Sequence, residues 1–167
     1  ILASAFQDYQ DLKPFIPGDI PVVLFDRKLR NCPHDTVTES DTPAIRKAIK
    51  GLTEKGHRRI GCIAGLPWLR TTADRVLAYR TSLDTAGIGP DESLIFYASS
   101  MHDDGYAFAR QLDEAGCTAI LIVSNSMTRG CLSYLLEHGK QPGKDMIVAG
   151  YHNPDFLNID MIRVQMP

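Results

Sequence analysis

The chain has 167 residues, 44% hydrophobic and 23% charged, a composition that excludes disorder and allows one sizeable core or two small lobes. Eighteen Lys and Arg against twenty Asp and Glu give a formal net charge of -2, which excludes a surface built to neutralise nucleic-acid phosphates. No run approaches the roughly 18 apolar residues of a membrane span, and the opening segment lacks the layout of a secretion signal.

Ile1 and Leu2 open the chain as though inside the last strand of a longer unit, so the chain is expected to be cut short upstream. Pro21 to Phe25 is an apolar, β-branched run ended by Asp26 and Arg27, which predicts a buried strand with polar groups at its carboxyl end. The polar stretch from Arg30 to Glu39 predicts a connection. Helical periodicity follows over Thr42 to Lys55, with Pro43 in the first turn and Gly56 as the stop. The same alternation then repeats. Strands are expected at Ile60 to Ala64, Leu94 to Tyr97, Ala119 to Val123 and Met146 to Ala149. Helices are expected at Thr72 to Ala86, Asp104 to Ala115 and Met127 to His138, each closed by a glycine.

Near-continuously apolar strands alternating with helices predict a doubly wound α/β fold with parallel sheets covered on both faces. Ligands in such folds bind beyond the carboxyl ends of the strands. Those positions carry Asp26 and Arg27, Gly65 to Leu69, Ala98 to Met101, Ser124 and Asn125, and Tyr151 to Asn153, a set rich in hydrogen-bonding groups with aromatic surface from Trp68 and Tyr151. Dinucleotide and phosphate loops, a phosphoryl-accepting Asp and a nucleophile elbow are all absent from the sequence, so neither catalysis nor a cofactor is expected. The four cysteines, Cys32, Cys62, Cys117 and Cys131, have no metal-ligand or C-x-x-C spacing; free thiols in a reducing cytoplasm are expected, and no metal.

Several segments resemble the LacI/GalR repressors in order and spacing: IPVVLFDR (Ile20 to Arg27), GHRRIGCIAG (Gly56 to Gly65), R-x-x-A-Y (Arg75 to Tyr79), L-x-x-A-G-I (Leu83 to Ile88), G-Y-x-x-A (Gly105 to Ala109), TAILIVSNSMTRG (Thr118 to Gly130) and VAGYHN (Val148 to Asn153). The resemblance implies a periplasmic-binding-protein-like fold of two lobes flanking a cleft. Residues 1–38 would be a partial N-terminal lobe, 39–161 a nearly complete C-terminal lobe, and 162–167 a crossing strand back. It implies a cytoplasmic homodimer that senses a small-molecule effector, a sugar or related metabolite, and reads operator DNA through an N-terminal helix-turn-helix outside this chain. A periplasmic sugar receptor of the same fold is the alternative. Carried over position by position, the effector contacts are Asp26, Thr71, Arg75, Ser124, His152 and Gln165. The usual Asn-Asp is Ser124-Asn125 and a usual Asp is His152; losing two acids would favour a less hydroxylated, anionic or phosphorylated effector.

Plainer roles stand beside these. Arg75 has Asp74 and Asp103 as alternative acid partners, and Asp26 suits a strand-end cap. His57 is expected to bond the last carbonyls of the preceding helix, and His102-Asp103-Asp104 to cap the next one. Trp68 is either a lid over a ligand or a packing residue between lobes.

Overall fold

All five residues of Ile60–Ala64 (β4) and all four of Ala119–Ile122 (β6) are buried, as strands covered by helices on both faces must be. The computed structural model describes residues 1–18, 20–99, 101–151 and 161–164. It sets β4 and β6 side by side in a parallel sheet with Ile95–Tyr97 (β5), Ile147–Gly150 (β7) and Ile162–Arg163 (β8), in the order β5-β4-β6-β7-β8. A smaller parallel sheet, order β1-β2-β3, comprises Leu2–Ala3 (β1), Val23–Phe25 (β2) and Asp35–Val37 (β3). The doubly wound α/β architecture expected from the sequence is present. One expectation needs correction: β3 lies inside the stretch read as a connection, because Thr36 and Val37 pair with Leu24 and Phe25 of β2. The crossing strand expected at 162–167 is described only to Val164, and its strand residues lie beside β7.

The helices are Tyr9–Leu12 (α1), Thr42–Glu54 (α2), Arg70–Thr85 (α3), His102–Glu114 (α4) and Asn125–Glu137 (α5). α2 buries Ile45, Ala48, Ile49 and Leu52, the i, i+3, i+4, i+7 stripe of an amphipathic helix, and Pro43 sits in its first turn. Gly56, Gly87, Gly116 and Gly139, which follow the four long helices, all have positive φ, the conformation that ends a helix without the steric penalty of a Cβ. α3 ties into the sheet through the buried Tyr79 hydroxyl, which donates to the Ile60 carbonyl at 2.6 Å.

The connectivity locates the crevice. From β4 the chain passes through α3 to β5 on one side; from β6 it passes through α5 to β7 on the other. Right-handed crossovers running opposite ways send the two helices to opposite faces, so the sheet's switch point lies between the carboxyl ends of β4 and β6.

The main core gathers β4 to β7 and α2 to α5, whereas Tyr9, Leu12, Leu24 and Leu29 form a separate small cluster beneath the N-terminal sheet. The four cysteines are free thiols. Burial pushes Cys62 and Cys131 up to about 12 and Cys117 up to about 11, which suppresses the reactive thiolate, while Cys32 is half-buried beside the small cluster. A disulfide-exchange reagent should therefore modify Cys32 alone under native conditions and the remaining three only on unfolding. Rapid native labelling at Cys62 or Cys131, read by mass spectrometry, would contradict this packing.

Candidate functional site

Two adjoining hollows lie at the carboxyl ends of strands from both sheets. The larger, of about 920 Å3, is walled by residues including Asp26, Asp41, Trp68, Thr71 and Arg75. The smaller, of about 250 Å3, brings together Asp26, Thr71, Arg75 and Ser124, along with Gly65 and Val123. Four of the six residues singled out in the sequence thus line one concave surface. His152 and Gln165 lie outside the described residues.

Asp26 follows β2 with φ 72°, a left-handed conformation that costs most L-residues energy and that Asp tolerates better than most. Its backbone N–H donates to the Val37 carbonyl at 2.9 Å. Its carboxylate lies 3.8 Å from the Arg27 guanidinium and stays largely exposed at the cavity wall. The cap role is not what this carboxylate does: the Arg27 N–H goes instead to the Phe25 carbonyl. Thr71 lies in the first turn of α3, one turn before Arg75 on the same face, because α3 starts at Arg70, two residues before its expected start. Ser124 precedes α5 in extended conformation and makes no side-chain cap; its carbonyl accepts from the Thr128 N–H at 2.9 Å and hydroxyl at 2.8 Å.

Arg75 is held on three sides. Its Nε donates to Asp41 Oδ2 at 2.5 Å and its Nη2 stands 2.5 Å from the same oxygen, while Nη1 donates to the Val123 carbonyl at 3.2 Å. The Tyr151 ring lies under the guanidinium, 4.9 Å from Cζ to centroid, a cation–π contact. Neither acid considered from the sequence is the partner: Asp74 pairs with Arg70 and Asp103 with His102. The acid is Asp41, which sequence reasoning missed because an Asp directly before Thr42-Pro43 has the signature of a helix cap. Asp41 is at that cap position, yet its side chain makes no cap bond.

Asp41 is 8% exposed, and its Oδ1 is buried without a hydrogen-bond partner, as is the Tyr151 hydroxyl. Burial pushes the Tyr151 phenol well above its ordinary range, with Arg75 opposing the shift and Asp41 adding to it. Carboxylate and phenol thus act on each other without meeting in hydrogen-bonding geometry. Trp68 lines the larger hollow with 58% of its surface exposed.

The structure also resolves the plainer roles. The His57 backbone N–H, not its ring, bonds the end of α2 at the Leu52 carbonyl, and Nδ1 meets the Thr118 hydroxyl at 2.9 Å. Asp104 caps α4, accepting from the Ser99 hydroxyl at 2.5 Å and the Met101 N–H at 3.3 Å, and these bonds hold its carboxyl below the usual range. Among the described residues no group of three or more His, Cys, Asp and Glu side chains is placed to hold a metal, and no helix is long and apolar enough to cross a membrane.

A family described as periplasmic binding protein-like domain matches residues 49–163. The chain is similar to the HTH-type transcriptional regulator CelR of Thermobifida fusca, 34% identical over 137 residues covering 79% of this chain and 40% of that protein. Among solved structures it is similar to a transcriptional regulator CelR–cellobiose complex, with a TM-score of 0.70 and 32% identity, covering 78% of this chain and 41% of that one. A probable LacI family transcriptional regulator from Corynebacterium glutamicum gives a TM-score of 0.75 at 26% identity, over 85% of this chain and 53% of that one. The chain therefore spans about two fifths of the length of the curated relative.

Proposed function

Because the chain belongs to the periplasmic-binding-protein-like domain family of LacI-type transcriptional regulators, we propose that it is the ligand-sensing core of a bacterial transcription repressor. The observation that carries this reading is the convergence of Asp26 from one sheet with Thr71, Arg75 and Ser124 from the other on a single concave surface. A carboxylate acceptor, two hydroxyls and a pre-organised guanidinium suit a sugar or related polyhydroxy metabolite. The larger hollow, at about 920 Å3, falls within the size range of small-molecule sites and has room for a disaccharide.

In the whole protein, a ligand bridging the two walls stabilises one relative placement of the sheets. That placement sets the spacing of paired helix-turn-helix modules in a cytoplasmic homodimer, and hence operator affinity. No step of this scheme calls for turnover, a cofactor or a metal.

The test is a thermal-shift screen against cellobiose, other sugars, sugar phosphates and nucleosides, run on the native protein and on Asp26→Gly. A ligand at 100 times its dissociation constant adds about 2.7 kcal/mol to the native state. Asp26→Gly relieves the left-handed backbone, so its own stability should match or exceed the native value by up to about 1 kcal/mol, while the ligand-induced shift is lost. An undiminished shift in this variant would place the ligand away from Asp26, and no stabilising ligand of any class would remove the sensing reading.

A further inference from the structure

We propose that Asp41 is a built-in counter-anion of the ligand cleft: it occupies the two-donor edge of Arg75 and so makes the cleft select neutral ligands over anions. The inference rests on the ligand-sensing reading above and narrows the ligand chemistry of that site. It also reverses the expectation, drawn from Ser124 and His152, that lost acids favour a phosphorylated effector.

Three observations carry it. An Asp at the start of a helix ordinarily accepts from the exposed backbone N–H groups there; Asp41 forgoes that bond and turns to a guanidinium on another helix. One oxygen, Oδ2, takes both Nε and Nη2 of Arg75, which is the edge a ligand carboxylate or phosphate would use for a two-bond grip. The other oxygen, Oδ1, is buried away from water with no donor in hydrogen-bonding geometry, so solvent does not screen the carboxylate charge on that side.

Nε and Nη1 donate to Asp41 and Val123 while Nη2 stands against the same Asp41 oxygen, so N–H groups on Nη1 and Nη2 remain for a ligand. A neutral ligand hydroxyl can accept from one of these without bringing a like charge up to Asp41. A phosphate or carboxylate oxygen would stand against the Asp41 charge at short range with little water between them.

The experiment titrates inorganic phosphate into isotope-labelled native protein and into Asp41→Asn, following the Arg75 Nε–H resonance. The native Arg75 signal should not move at millimolar phosphate. In Asp41→Asn, which keeps size and shape, phosphate should shift it with an affinity at least about tenfold higher, and Arg75→Lys in that background should lose the gain. Saturable phosphate binding at Arg75 in the native protein would overturn the proposal, and this arm holds even if the variant fails to fold. A folded Asp41→Asn with no gain would overturn it too. Failure of the sensing reading has a different signature, the absence of any stabilising ligand in the thermal screen, and leaves the phosphate titration interpretable.

Discussion

Replacing Arg75 with alanine should lower the stability of the protein by about 3 kcal/mol, more than loss of its side-chain packing explains, because removing one member of a buried ion pair leaves the other charge uncompensated. The Asp41 side chain is 7% exposed and already has one oxygen without a partner; in Arg75→Ala both oxygens would be. The Val123 carbonyl loses its donor and the Tyr151 ring its cation in the same step. Urea denaturation is the measurement, with the midpoint falling and the slope unchanged. The mechanism makes a sharper demand on the double variant. With Asp41→Asn added, the remaining group is neutral, so the pair should be less than additive by about 2 kcal/mol. Additive losses, or an Arg75→Ala protein as stable as the native one, would mean that water already solvates this ion pair. Ligand-induced stabilisation should vanish in either case.

The contrast between Arg75 and its partner shows what the sequence made legible. Arg75 sits in a recognisable motif, on a helix whose period places Thr71 one turn away on the same face, so its position followed from local pattern. Asp41 lies 34 residues earlier, and its local context describes a helix cap; only the folded chain shows that the side chain turned elsewhere. The strands β4 and β6 were readable because burial on both faces demands unbroken apolar runs. β3 was not, since a three-residue strand with Asp35 and Val37 exposed has no period to detect and little core to fill. α1 escaped for a similar reason: it is a single turn, held by an Asp8 side chain accepting from the Gln10 N–H at 2.9 Å, over a core cluster of four buried residues. Three helices, α3, α4 and α5, begin two residues before their apolar pattern does, because the first turn faces the strand ends and carries polar residues.

The second large effect lies away from the cleft, at Gly130. α4 and α5 approach each other backbone to backbone through two glycines: a Cβ at Gly130 would collide with the His102 carbonyl oxygen and stand 2.8 Å from the Tyr106 nitrogen, and a Cβ at Gly105 would collide with the Met127 carbonyl oxygen. Because the obstacles are backbone rather than the ends of flexible side chains, no rotamer change makes room and the helices must move apart. They carry Ala109, Leu112, Met127, Cys131 and Leu135 of the main core, so separation opens that packing as well. Gly130→Ala should therefore cost about 3 kcal/mol or more, at the upper end for added volume in a packed interior. The control is Gly51→Ala in α2, where a Cβ meets nothing within 4 Å; there the better helix former should add about 0.5–1 kcal/mol. Opposite signs for one chemical change would locate the effect in the α4–α5 contact. A Gly130→Ala protein as stable as the native one would mean that the two helices stand further apart. Because α5 starts at Asn125, next to Ser124 in the cavity wall, a destabilising Gly130→Ala should also weaken ligand binding without touching any residue that lines it.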